Sequence, residues 1–188
     1  LVLLILTLFL RITVAMWVVA GIRIAVMGAL WAFPMFGINI SSLTVLAFIL
    51  VLGIVVDDAI VVGERVFSHE STDRNHREAA INGTYEVSVP VIFGVLTTVA
   101  AFLPLLLVEG RMNDFFSAIS LVVIIALFFS IIESQLILPS HLAHRKHDAP
   151  KTGAAKGWNR LQDSLSGWLT HVAENVYLPI LRFAIRWR

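Results

Sequence analysis

Cysteine is missing altogether and charge is scarce: only 14% of the 188 residues are Asp, Glu, Lys or Arg. Without a thiol the chain can build neither a disulfide framework nor a thiolate metal site. A formal net charge of +1 says nothing about nucleic acid, and none is expected as a partner. The opening run, LVLLILTLFLR, has no charged segment ahead of it and no initiator Met. The ten residues before Arg11 are too few to cross a bilayer, which takes about 20. That run reads as the tail of a helix rather than a signal peptide, and the chain as a piece of a larger protein.

What is present is apolar. Hydrophobic residues make up 58% of the chain, against about 45–50% in a soluble domain with about 25% charge. The expected fold is an all-α membrane protein. Apolar runs predict spans over 13–36, 42–63, 87–108 and 115–138, after a truncated helix at 1–10. Gly37 is placed to stop the first complete span, and Ser41 or Ser42 to cap the second. In the polar turn EGRMND, Asn113 or Asp114 is placed to cap the fourth. The longer polar break, 65–86, holds Asn75 and Glu78 at capping-box spacing ahead of a short helix.

Alternating spans put all but Arg23 and Arg111 of the 14 Lys and Arg residues on one side. That side is the cytoplasm by the positive-inside rule, while Arg111 lies opposite and Arg23 within a span. After Pro139 the chain stays cytoplasmic. Trp158, Leu161, Leu165, Trp168, Leu169, Val172 and Val176 recur at three- and four-residue steps, the pattern of a helix lying on the membrane surface. YLPILRFAIRWR then reads as the approach to another span. The organisation expected is a helix bundle over 1–144, followed by the interfacial helix and that lead-in over 145–188.

Two adjacent carboxylates stand out in GIVVDDAIVVGERV, residues 53–66. With the second span leaving the membrane near Glu64, Asp58 and Asp57 lie about 9 and 10.5 Å inside it. A short Asp side chain cannot reach water from there. Neighbouring positions on a helix are about 100° apart, so the two carboxylates fan out toward different surroundings. Their protonation depends on burial, on each other and on any cation nearby. Moving a cationic partner by a few ångströms therefore switches it, which is the logic of a proton-coupled device. Gly53, Ala59 and Gly63 allow close helix approach on the same span.

GIVVDDAIVVGERV resembles the fourth-helix motif of the resistance–nodulation–division (RND) transporters, in particular the hydrophobe/amphiphile, multidrug efflux branch. The likeness continues through FGINISSLTVLAFILVLGIVVDDAIVV, EAAINGTYEVSVPVIFGVLTTVAAFLPLLLVEG and SLVVIIALFFSIIESQLILPSHLA. It covers nearly the whole chain, from the end of the family's second helix to the lead-in to its seventh. Branches for metal, protein and lipid export are similar here but usually carry a single Asp. The resemblance implies a homotrimeric, proton-driven permease of the bacterial inner membrane, working with a periplasmic adaptor and an outer-membrane channel. It implies no cofactor beyond the proton itself. Asp57 and Asp58 match the family's proton-relay carboxylates. Their partner, a lysine on a helix of the family's second half, has no counterpart in this sequence. Arg65 departs from the branch, which usually has Asn there, and Arg23 stands where many relatives have Pro.

Two further residues are accessory candidates. Arg23, about 15–18 Å from the cytoplasmic end of its span, either reaches toward Asp57, Asp58 or a helix outside this sequence, or draws water inward. Glu133, flanked by Ser130 and Ser134, lies on a proton exit path or caps packing near the interface. His141, His144 and His147 recur at three-residue steps, but no carboxylate completes a metal shell, and a solvated segment is the expectation. Thr97 and Thr98 lie between Pro90 and Pro104 and either satisfy carbonyls freed by proline or mark a flexible helix. Gly21, Ala25, Ala29 and Ala32 form a small-residue packing stripe.

Two other classes compete with a transporter. An intramembrane aspartyl protease needs two Asp on different helices, and no other complete span contains one. A membrane scaffold would use the Asp pair as a structural element only.

Overall fold

The computed structural model describes Thr7, residues 12–70, 75–144, Gly167 and residues 171–186. Residues 12–145 form one compact unit. Its described elements are α1 (Ile12–Ala32), α2 (Ser42–Glu70), α3 (His76–Phe102), α4 (Asn113–Ile132) and α5 (Leu138–Ala143). Short 3-10 turns extend α1 and α3, and a π turn, Glu133–Ile137, joins α4 to α5. There is no strand among the described residues. Four stretches are long and apolar enough to cross a membrane: Val14–Phe36, Ser42–Glu70, His76–Leu107 and Asn113–Ala143. The chain is an all-α, multi-pass membrane protein.

The helix ends follow from local chemistry. Gly37 sits in the left-handed region at φ 69° and returns its N–H to the Phe33 and Pro34 carbonyls, ending the first span. Ser41 caps α2: its Oγ accepts from the Thr44 N–H at 3.3 Å, and Thr44 Oγ1 accepts from the Ser41 N–H at 2.8 Å. This is a capping box with Thr in the usual place of Glu. Asn75 Oδ1 accepts from the Arg77 N–H at 3.1 Å and starts α3. The helix it starts is not short, however, and the polar break is far narrower than 65–86. Arg65 pairs with Glu86, and His69 Nε2 lies 2.9 Å from Glu86 Oε2. The polar residues thus serve as ties between two helices that run on past the apolar region. Asn113 does not cap α4 either. Its Nδ2 donates backward to the Val108 carbonyl at 2.6 Å and its N–H to Gly110 O at 3.1 Å, closing the turn. Asp114 is left to favour the helix dipole from the first turn.

α2 and α4 are the centre of the bundle. α2 packs against α1, α3 and α4, and α4 against α1, α2 and α3. Ala25, Ala29 and Ala32 of the α1 stripe, Ala47, Val51 and Val55 of α2, and Val122, Val123, Ala126 and Leu127 of α4 share one buried cluster. The small residues of α1 let α4 approach until Phe129 Cδ1 lies 2.5 Å from where a Gly28 Cβ would stand. Gly63 meets Val18 in the same manner, and Gly83 faces the backbone of Val66. Thr97 and Thr98 bond the carbonyls one turn back, Phe93 at 2.7 Å and Gly94 at 3.0 Å. Neither carbonyl is one that Pro90 or Pro104 frees, so these hydroxyls satisfy themselves within the helix and not the proline gaps.

The π turn has a covalent cause. Pro139 carries no N–H and its ring would strike the carbonyl four residues back in an α-helix. Winding more widely removes the conflict, and the Leu138 N–H reaches back five residues to Glu133 O. The second unit repeats the device: a π turn at Ala173–Tyr177 precedes Leu178 and Pro179, which open α6 (Leu178–Arg186). Of the surface helix expected around 158–176, most residues lie outside the described ones. Within the rest, Asn175 Nδ2 donates to the His171 carbonyl at 3.0 Å.

Candidate functional site

α2 carries both carboxylates in its middle, and helical geometry separates their surroundings. Asp57 is exposed on a face that also shows Leu46, Leu50, Gly53, Val61 and Glu64. A Cβ built on Gly53 would meet nothing within 4 Å. Asp58, about 100° further round, turns into the bundle and is half-buried. Ala59, beside it, is fully buried and lets the neighbouring helices close in. The fanning expected from adjacency is therefore present: one acid faces the protein and the other an uncovered side.

The partner of Asp58 comes from α4. Ser130, with 0% exposure, donates its hydroxyl to Asp58 Oδ2 at 2.8 Å. One turn further along α4, at the start of the π turn, Glu133 is also at 0% exposure. Neither of its carboxyl oxygens has a hydrogen-bond partner, and the Gln135 amide nitrogen is buried without one as well. Asp58 is tied to the same face of α4 through Ser130, three residues before Glu133. The space for the Glu133 carboxyl is made by Gly21 of α1, where any Cβ would collide with it. Asp58, Ser130, Glu133 and Gly21 thus gather where α1, α2 and α4 meet.

Arg23 is not part of that cluster. It is exposed on α1 and forms no ion pair with Asp57 or Asp58. His141 stacks on Trp17 with ring centroids 4.6 Å apart and planes 11° from parallel. It is a packing residue at the α1–α5 contact, not a solvated one. His144 Nδ1 contacts the Ser140 carbonyl at 2.8 Å, and His147 lies outside the described residues.

Sequence reasoning missed the role of Ser130, noted only as a flank of Glu133. A small hydroxyl three residues before a buried acid is the signal that could have found it. It also passed over the Arg65–Glu86–His69 cluster, because no pattern in one helix shows which residue of the next helix it meets.

The whole chain, residues 1–188, matches the model of the AcrB/AcrD/AcrF family. Among curated relatives, an uncharacterized transporter of Haemophilus influenzae is 35% identical over 64% of this chain and 12% of its own length. The multidrug resistance protein MdtC of Pantoea ananatis is 32% identical over 70% of this chain and 13% of its own. MdtC of Photorhabdus laumondii is 31% identical over 80% and 15%. The chain spans only about an eighth of the length of the relatives it matches. These are transporters and not enzymes. With the double Asp in its second described helix and the match running end to end, the chain belongs to the AcrB/AcrD/AcrF family of RND efflux transporters.

Proposed function

We propose that this segment belongs to the proton-translocating membrane domain of an inner-membrane drug/proton antiporter, and that Asp57 and Asp58 are its proton relay. The observation that carries the reading is the split environment of two adjacent acids. Asp58 is anchored inside the bundle by the Ser130 hydroxyl, while Asp57 stands on an uncovered helix face. A carboxylate on a spanning helix is too costly to leave against lipid. The face around Asp57, with its open Gly53, is suited to a further helix of the full-length protein that brings a cation. Approach or withdrawal of that cation changes which acid is charged, and hence how α2 packs.

The names of the MdtC relatives speak of multidrug resistance, and the same cargo class is proposed for this protein. The working form is a homotrimer joined to a periplasmic adaptor and an outer-membrane channel, with lipid around the exposed apolar faces. No cofactor enters the scheme. Arg23 is assigned a minor accessory part, drawing water to the exposed flank of α1.

The test uses the full-length protein in proteoliposomes. Asp57→Asn and Asp58→Asn should each abolish drug export coupled to a pH gradient, without loss of assembly. Undiminished export by both variants refutes the relay.

A further inference from the structure

Glu133 is the only fully enclosed carboxyl among the described residues, and its oxygens are unpartnered. A side chain kept for packing alone would be apolar at that position, because an enclosed acid costs several kcal/mol more than a hydrocarbon of its size. Among the described residues of the bundle no ion pair reaches it. α1 presents Gly21 there, and its single charged described residue, Arg23, is exposed. α3 also packs on α4, and its Arg77, Glu78 and Glu86 are exposed. α2 brings Asp58. α5 brings His141, which is engaged face to face with Trp17. α4 itself adds the hydroxyls of Ser130 and Ser134; the latter is turned back to the Ile131 carbonyl at 3.5 Å. Glu133 thus has another acid and two hydroxyls around it, groups that can pass a proton but cannot neutralise a charge.

We propose that Glu133 is a third proton-carrying group of this transporter, exchanging its proton with Asp58 through the Ser130 hydroxyl. The inference rests on the relay reading above. Ser130 and Glu133 are three residues apart on α4 and so share one helix face. In the transfer, the Glu133 acid turns toward Ser130 and gives its proton to Oγ. The Ser130 hydroxyl proton passes along the existing bond to Asp58 Oδ2. Asp58 ends as the neutral acid, Glu133 as the carboxylate, and the serine is unchanged. One negative charge is conserved over the pair throughout. The wide π turn gives the Glu133 backbone a winding it would not have in a regular helix.

The experiment is infrared difference spectroscopy across a pH titration of the full-length transporter, alongside the pH profile of proton-driven export. Glu133→Gln keeps the shape but has no exchangeable acid proton. It should remove one carboxylic C=O band and move the pH midpoint of export by about one unit. Glu133→Asp should restore the band and part of the midpoint. If Glu133→Gln does not assemble, Ser130→Ala serves in its place, because it keeps Glu133 but cuts the route to Asp58; the midpoint should move again. An unmoved midpoint and an unchanged band set overturn the inference. Should Asp57→Asn and Asp58→Asn abolish export while Glu133→Gln leaves the profile intact, only the third carrier fails. Should all three leave export intact, the relay itself fails.

Discussion

Gly83 offers the sharpest test of how α2 and α3 are held together. A Cβ at this position would stand 2.7 Å from Val66 Cα, 2.8 Å from Val66 N and 3.0 Å from Arg65 C. All three are backbone atoms, so no rotamer change relieves the overlap. Ordinary contact begins near 3.4 Å, and Gly83→Ala must therefore push the helices apart by about 0.7 Å. Overpacking of this kind costs about 1–3 kcal/mol, partly offset by the roughly 1 kcal/mol that Ala gains over Gly in a helix. The net expectation is a loss of up to about 2 kcal/mol, with the Arg65–Glu86 tie stretched at the same junction. Gly94→Ala meets nothing within 4 Å and should gain the propensity without the clash. Gly63→Ala should fall between, since its obstacle is the movable Val18 Cγ2 at 2.8 Å. Denaturant titration of the full-length protein in detergent, followed by circular dichroism, ranks the three. A Gly83→Ala variant as stable as Gly94→Ala would show that the α2–α3 backbones are not in contact.

Ser130→Ala removes the donor to Asp58 and should cost on the order of 1–3 kcal/mol, with Ser130→Thr recovering most of it in the same titration. Arg65→Gln or Glu86→Gln breaks an exposed pair, so unfolding should change little and high salt should erase the difference. Trp17→Leu and His141→Ala, combined in a double-mutant cycle, should show a coupling of about 0.5–1.5 kcal/mol from their parallel stacking. Zero coupling would mean that the rings do not touch.

Much of the bundle was legible because apolar runs, Gly37, Ser41 and Asn75 each act within a few residues of themselves. The α2–α3 break was misjudged for the opposite reason. Arg65, His69 and Glu86 read as solvated breaks when taken singly, yet they meet across two helices and extend both. The Asp57–Asp58 pair could be picked out by its setting, since charge in an apolar run needs a cause. Its inner contact could not, because Ser130 is 72 residues away and which face of α4 turns inward is set by packing. Asn113 shows the same limit on a small scale: a residue suited to cap one helix can equally bond back to the loop before it.

The π turn also changes how the last stretch of the fourth span is to be aligned. Regular winding would stack Ile137 beneath Glu133, four residues on. Here Leu138 and Leu142 are fully buried while Ile137 is only partly so. The inward stripe has slipped by one position, and a helical wheel drawn straight through Ser134–Leu142 would assign the wrong side chains to the interior. Comparisons of this region with sequences lacking the Leu-Pro pair need a one-residue gap placed inside the turn, or every position after it will be matched to the wrong neighbour.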